Sequence, residues 1–113
     1  MNMTVEELCI ALDASVYAAG DRERKISKAV AGDLLSFVMG TAPEGAIWVT
    51  IQVHLNVAAV AVLKDLPVII IAAGRRPQDD LVERCQQEGI CVASVKDTIY
   101  AVCAKLAALG FGE

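Results

Sequence analysis

Nine polar, basic or glycine residues that could bind a ligand follow three of the strands that the sequence predicts. They are Gln52, His54, Asn56, Gly74, Arg75, Arg76, Ser94, Asp97 and Thr98. They include the only histidine and the only Arg-Arg pair of the chain. In an open parallel sheet, ligands bind beyond the carboxyl ends of the strands. Helices predicted to begin near positions 54, 77 and 95 would point backbone N–H groups and positive dipole ends at the same edge. We therefore expect a site for a small anionic molecule there.

Each of these features also has a purely structural interpretation, which stays open at this point. The pair Arg75-Arg76 can be loop charge that is neutralised by Asp79 and Asp80. His54 can simply satisfy a loop or begin a helix.

Two further groups have a structural alternative as well. Ser94 and Asp97 have the spacing of a helix cap. Gly20 and Gly74 can serve only to permit turns with positive φ.

Apolar runs that alternate with helical segments predict the elements that position these residues. The runs at 47–51, 68–71 and 90–93 are almost wholly apolar, as strands covered on both faces are. The sequence further predicts a strand at 15–18, an edge strand at 28–31, and helices at 4–12, 33–39, 55–65, 77–88 and 94–109. Asp33 is the expected cap of the second helix, and Pro77 suits the first turn of the fourth. This alternation predicts a three-layer α/β/α fold with a mainly parallel central sheet, formed as a single domain over 1–113.

Composition excludes several classes of protein. The chain has 113 residues, a hydrophobic content of 56% and a net charge of -4, which is not the composition of a disordered segment. Its acidic balance, with a pI near 4.9, argues against nucleic acid as a partner. Acidic residues stand where the basic start of a signal peptide would be, so we expect a cytoplasmic protein.

One uncharged stretch, from Gly45 to Leu63, approaches the roughly 20 residues that span a bilayer. Polar residues recur at every second position in its middle, namely Thr50, Gln52, His54 and Asn56. This pattern fits a strand, a polar loop and a helix rather than a lipid-facing helix. We therefore expect a soluble chain without a membrane partner.

The four cysteines, Cys9, Cys85, Cys91 and Cys103, form no C-x-x-C pair, and His54 has no acidic or thiol cluster near it in sequence. A structural zinc site normally has such close pairs. We therefore expect free, buried thiols, no metal and no cofactor.

Catalytic motifs are absent from the sequence. There is no G-x-x-x-x-G-K-[ST] loop for phosphoryl transfer, no G-x-G-x-x-G after a strand, and no G-x-S-x-G elbow. A small enzyme that uses His54 with Arg75 or Arg76 is the weakest hypothesis, and we expect a protein that is not an enzyme.

Several segments resemble the DRTGG domain family, over about positions 15–109. The segments are Val30 to Leu35, Trp48 to Val57, Ile69 to Pro77, and Glu88 to Ser94 followed by Asp97-Thr98. The family is similar in fold to the amino-terminal domain of HPr kinase/phosphorylase. It occurs in phosphotransacetylases, in CBS-containing pyrophosphatases, and in stand-alone chains associated with iron-only hydrogenase genes. The motif Asp-Arg-Thr-Gly-Gly itself is not kept, since the two expected loops read QVHLN and AAGRR here.

The resemblance implies a regulatory module without catalytic groups of its own, often dimeric. In the pyrophosphatases, adenine nucleotides bind the regulatory region, chiefly at its CBS part. We therefore expect a non-enzymatic homodimer that senses a small anionic ligand similar to an adenine nucleotide. The alternative is a protein-interaction module that regulates a larger redox enzyme such as an iron-only hydrogenase.

The helix at 55–65 either belongs to the core or presents Ala58, Ala59 and Ala61 to a second subunit.

Overall fold

Helices and strands alternate along the chain, and five helices and seven strands are present in residues 2–112, which this computed structural model describes. The strands are β1 (Met3–Thr4), β2 (Ser15–Ala18), β3 (Lys25–Ile26), β4 (Ala29–Ala31), β5 (Ile47–Thr50), β6 (Val68–Ile71) and β7 (Cys91–Ser94). The helices are α1 (Val5–Ala11), α2 (Leu35–Thr41), α3 (Asn56–Lys64), α4 (Asp79–Glu88) and α5 (Ile99–Ala108).

The main sheet has five strands in the order β2-β7-β6-β5-β4. The four strands from β4 to β7 run parallel, and β2 closes one side by antiparallel pairing with β7. Thr50 pairs with Ile71 and Ile71 pairs with Ser94, so the carboxyl ends of three neighbouring strands lie level. The predicted fold class is confirmed.

Helices cover both faces of the sheet, which explains the continuous apolar strands. Side chains of α1 and α5 pack on one face, and side chains of α2, α3 and α4 pack on the other. Every residue of β5, β6 and β7 is buried. Trp48 is fully buried, and its indole Nε1 donates a hydrogen bond of 2.9 Å to the carbonyl oxygen of Gly32. That bond satisfies the one polar group that this large side chain brings into the core.

The predicted role of Asp33 as a helix cap is wrong. Helix α2 begins two residues later, and its N-cap is Leu34, which makes no side-chain capping bond. The Asp33 carboxylate instead accepts hydrogen bonds from Thr50 Oγ1 and from the Ile51 backbone N–H, both at 2.9 Å. Because these two donors lie at the end of a buried strand, the carboxylate bonds to them rather than to the N–H groups at the start of α2.

Two other predicted helix starts are also displaced. Helix α4 begins after Gln78, so Pro77 precedes its first turn and is buried. Ser94 and Asp97 do not cap α5, because Ser94 is still part of β7 and Thr98 is the N-cap, accepting a bond from the Ala101 N–H at 3.2 Å. By contrast, the helix predicted at 4–12 is present as α1, and Thr4 and Glu7 form a capping box at its start.

The positions of the alanines in α3 show whether they belong to the core or to a surface for a second subunit. Ala58 and Ala61 are fully buried against the sheet and belong to the core, whereas Ala59 is exposed. The predicted subunit patch on Ala58 and Ala61 is therefore wrong. The helix turns these two small residues inward because they allow it to lie close to β5 and β6.

A small second sheet, which the sequence did not predict, joins β1 to β3 in antiparallel register. Its strands have two residues each, too few for a periodic signal. None of the helices in residues 2–112 has the length and apolarity needed to cross a membrane.

Candidate functional site

The nine candidate residues lie together along the carboxyl edge of the parallel strands. Gln52 and His54 follow β5, Asn56 opens α3, and Gly74, Arg75 and Arg76 follow β6. Ser94 ends β7, and Asp97 and Thr98 precede α5. Their shared location is therefore as predicted, and what each side chain does there differs from residue to residue.

The loop after β6 is held to the loop after β7 by backbone bonds. The N–H of Ala73 donates to the carbonyl oxygen of Asp97 at 2.7 Å, and the N–H of Gly74 donates to that of Val95 at 2.8 Å. Both donors have positive φ, 64° at Ala73 and 69° at Gly74. Ser94 Oγ donates to the carbonyl oxygen of Arg75 at 2.6 Å. These hydrogen bonds hold the loop after β6 in its conformation, and glycine suits its left-handed turn.

Neither arginine of the pair is neutralised by a carboxylate. Arg75 Nη1 donates to the carbonyl oxygen of Ile51, which brings the guanidinium against the loop between β5 and α3. The guanidinium carbon of Arg76 lies 6.0 Å from the ring centroid of Tyr17. The ion pairs within residues 2–112 involve other side chains, so pairing of these arginines with Asp79 or Asp80 is not observed.

Asp33 organises the loop after β5, and the sequence analysis did not include it in the site. Besides the two bonds to its carboxylate, its backbone carbonyl accepts a bond of 2.9 Å from Gln52 Nε2. Thr50 Oγ1 in turn accepts from the Gln52 N–H at 3.1 Å. An acidic residue two positions after a predicted edge strand was the available signal, because the carboxyl edge of β4 adjoins that of β5.

Helix α3 has an N-terminus that suits an anion better than the N-termini of α4 and α5. It has no side-chain cap and no acidic residue in its first turn. Helix α4 carries Asp79 and Asp80 in its first turn, and α5 is capped by Thr98. The positive end of a helix dipole attracts anions most where no carboxylate already occupies it.

His54 stands directly before this helix and is half-buried. Its Nδ1 is buried and has no hydrogen-bond partner within residues 2–112. A buried polar atom of this kind is costly unless a water or a ligand satisfies it. Within residues 2–112, Nδ1 is therefore an unsatisfied polar atom beneath the surface of this edge.

Three other candidates are already used within the protein. Asp97 forms an ion pair of 2.7 Å with Lys105, Thr98 caps α5, and the Gln52 amide holds Asp33. These side chains position the loops. The side chains of Asn56, Arg75 and Arg76 are exposed and face no carboxylate in the described part of the chain.

The edge does not belong to any of the five best-defined cavities of residues 2–112. Five cavities of about 230 to 430 Å³ lie elsewhere in residues 2–112, and the nine candidates line none of them. No group of three or more metal-ligating side chains occurs in that range either. A cationic edge outside these cavities suits a ligand that remains partly in solvent, such as a phosphate-bearing molecule.

This fold and edge define a three-layer α/β domain of the DRTGG-like type. Among solved structures, the chain is similar to the CBS and DRTGG domains of the regulatory region of Clostridium perfringens pyrophosphatase, whose crystal structure is a complex with its activator, diadenosine tetraphosphate. The TM-score is 0.77 at 13% sequence identity, and the match covers 91% of this chain and 45% of that one. At this identity the likeness concerns the fold. No family model and no curated protein matches the sequence.

Proposed function

We propose that the chain is a non-enzymatic regulatory domain that binds a small anionic ligand of the adenine-nucleotide class at the carboxyl edge of its sheet. The observation that carries this proposal is the Arg75 guanidinium, which is held on the Ile51 carbonyl oxygen in the loop that leads to α3, a helix whose N-terminus has neither a side-chain cap nor an acidic residue. The similar pyrophosphatase region is regulatory and has diadenosine tetraphosphate as its activator, which supports the same class of ligand.

The phosphate end of the ligand has two sources of positive potential at this position. The positive end of the α3 dipole lies at this edge, although the N–H groups of Val57 and Ala58 already donate to backbone carbonyl oxygens at 3.1 and 3.0 Å. Arg75 supplies a full charge on the loop that leads into this helix. Arg76 and Tyr17, stacked at the side of the sheet, form a planar surface on which a purine ring can pack.

A regulatory role fits this geometry better than catalysis by His54. Within residues 2–112, no acidic side chain is hydrogen-bonded to His54 Nδ1 to orient the ring, as catalysis by a histidine base normally requires. The similar pyrophosphatase region is likewise described as regulatory. Ligand binding would act by stabilising the loops after β5 and β6, which Arg75 already joins.

The test is thermal unfolding of the purified chain with and without adenine nucleotides, from AMP to diadenosine tetraphosphate. A ligand at about 100 times its Kd stabilises the folded state by about 2.7 kcal/mol and raises Tm. Arg75→Ala should weaken binding by about 10-fold or more, since a bond to a charged group contributes about 1.5–3 kcal/mol. Arg84→Ala is the matched control, because that arginine pairs with Glu88 along α4 at 3.4 Å.

Two results would contradict the proposal. The first is the absence of any Tm shift with each nucleotide at millimolar concentration. The second is an equal loss of affinity in the Arg75 and Arg84 variants, which would indicate non-specific charge attraction.

A second candidate function, binding to another protein chain, is favoured by an exposed apolar stripe on α3. Leu55, Ala59 and Val62 share one helical face, with Leu63 beside them at 70% exposure. On the adjoining α2, Phe37 is 61% exposed. We assign this surface first to a second copy of the chain, as a homodimer, and then to a larger enzyme partner.

Light scattering coupled to size exclusion tests this candidate. The wild type should elute as a dimer, and the double variant Val62→Ser, Leu63→Ser should elute as a monomer. Tyr100→Ser is the control, because Tyr100 is 84% exposed on α5. A wild-type monomer that also captures no redox enzyme from native lysate would overturn it.

A further inference from the structure

Two cysteines that are distant in sequence meet in the core between α1 and β7. The Sγ atoms of Cys9 and Cys91 lie 3.8 Å apart and are joined by a weak hydrogen bond. A disulfide bond is about 2.05 Å long, so an approach of roughly 1.8 Å would close it. The chain brings these thiols together although 82 positions separate them.

A cavity gives access to this pair. It has a volume of about 420 Å³, lies between α1 and β2, and is lined by both cysteines. Its lining also includes the charged side chains Glu6, Asp13 and Arg22. Cys9 keeps 8% of its surface exposed, whereas Cys91 keeps 1%. A small polar reagent therefore reaches Cys9 first.

The two thiols differ in acidity, and the difference makes Cys9 the more reactive thiol of the pair. The hydrogen bond between the two sulfur atoms lowers the pKa of Cys9, because a Cys9 thiolate would accept it from the Cys91 thiol. The same contact, together with burial, raises the pKa of Cys91. Cys9 is thus the attacking group, because the thiolate is the reactive form of cysteine.

We propose that Cys9 and Cys91 form an oxidisable dithiol site, which a hydroperoxide entering the cavity converts to an intramolecular disulfide. The Cys9 sulfur attacks the peroxide, the O–O bond breaks, and Cys9 becomes a sulfenic acid while water or an alcohol leaves. The Cys91 sulfur then attacks the Cys9 sulfur, the S–O bond breaks, and the released hydroxide takes the Cys91 proton as water. Two thiols lose two electrons and two protons, and the peroxide accepts both.

The remaining cysteines are not equivalent to this pair. Cys85 is fully buried on the opposite face of the sheet, and burial raises its pKa to about 11. Cys103 is half-buried, burial also raises its pKa, and it lies near no other thiol within hydrogen-bond distance in residues 2–112. Both therefore serve as internal controls.

Peptide mapping of the whole chain tests the assignment. Reduced protein is treated with hydrogen peroxide, alkylated with iodoacetamide and digested with trypsin and a Glu-specific protease without reduction. Cleavage after Glu7, Glu88 and Lys96 places each of the four cysteines in a different peptide. The expected product is one linked pair containing Cys9 and Cys91, with a loss of two hydrogens from the intact mass. Cys85→Ala and Cys103→Ser should leave this product unchanged, and Cys9→Ser should abolish it.

A second measurement is independent of the variants. Oxidation of the wild type should raise its Tm by several degrees, because the disulfide closes a long loop in the unfolded chain. Linked peptides that contain Cys85 or Cys103 would overturn the proposal. Recovery of Cys9 and Cys91 as separately alkylated peptides after peroxide treatment would also overturn it.

Discussion

Asp33 shows how one half-buried carboxylate can fix the shape of a binding edge. It satisfies the Thr50 hydroxyl and the Ile51 N–H, and its carbonyl holds the Gln52 amide. Thr50 is fully buried, so its hydroxyl has no access to water as a replacement partner. The direction in which the β5–α3 loop leaves the sheet therefore depends on this single residue.

Asp33→Ala should destabilise the chain by about 1–3 kcal/mol, because it leaves two donors at the end of β5 without an acceptor. Asp33→Asn keeps one acceptor oxygen and should cost less. Urea unfolding followed by the fluorescence of Trp48 measures both. Asp79→Ala, at an exposed position, is the control. Equal midpoints for the Asp33 and Asp79 alanine variants would show that the carboxylate does not support the loop.

A second carboxylate makes stability depend on pH. Asp65 accepts two hydrogen bonds from the Arg24 guanidinium, at 2.9 and 2.8 Å, and this contact lowers the pKa of Asp65. A folded-state pKa below the unfolded value gives stability that is present above the unfolded pKa and is lost as pH falls through the folded one. The stability advantage of the wild type over Asp65→Asn should therefore shrink below about pH 4. Asparagine tolerates the positive φ of 52° at this position, so the comparison isolates the charge. An advantage that is constant from pH 7 to pH 3 would contradict this.

At the scale of elements, Gly20 determines how closely the segment after β2 approaches β7. A Cβ atom at this position would lie 2.4 Å from the Cys91 backbone nitrogen, and its φ is +61°. Gly89 has a similar φ of +69°, but a Cβ there would meet nothing within 4 Å. Substitutions at these two glycines therefore distinguish the free-energy cost of a steric clash from that of a left-handed backbone.

Gly89→Ala should therefore cost about 1–2 kcal/mol, the usual cost of a left-handed non-glycine residue. Gly20→Ala should cost about 3 kcal/mol or more, because it adds overpacking against the β7 backbone. Chemical unfolding of both variants measures the difference. Equal costs would mean that the segment around Gly20 moves away from β7 freely.

The sequence predicted elements well where many residues carry one signal, and poorly where a single side chain chooses between partners. The apolar runs of β5, β6 and β7 could form only strands buried on both faces, so their place in the sheet followed. Asp33 and Ser94 were expected to cap helices, whereas in the fold they bond to a neighbouring strand end and to a loop carbonyl. Those partners are distant in sequence, and local spacing contains no information about them. The location of the edge was thus predictable from the sequence. The roles of its side chains depend on contacts that only the folded structure shows.

At the scale of the whole molecule, the two cores are opposite faces of the same three strands. Alternate residues of β5, β6 and β7 belong to different cores, as Ile69 and Ile70 do. Losing either helical layer exposes strands that the other layer needs, so we expect one cooperative transition.

Trp48 fluorescence reports the face covered by α2, α3 and α4, and far-UV circular dichroism reports all the helices. The two unfolding curves in urea should coincide, as expected for one domain. Alkylation of Cys9 and Cys91 in the opposite core should become fast at the same urea concentration. Separate midpoints for these probes would indicate two independently folding parts.

The backbone segments at Met3 and Gly112 lie close to each other in space. Met3 pairs with Ile26 and Gly112 pairs with Lys28, so both lie against one short segment. With about 4.8 Å between paired strands and about 3.3 Å per residue along them, the two residues are separated by at most about 17 Å. A short peptide can join them, and the chain can then be opened at a different loop. A circular permutant of this kind should keep the sheet order, and the domain could also be inserted as a unit into a surface loop of a host protein.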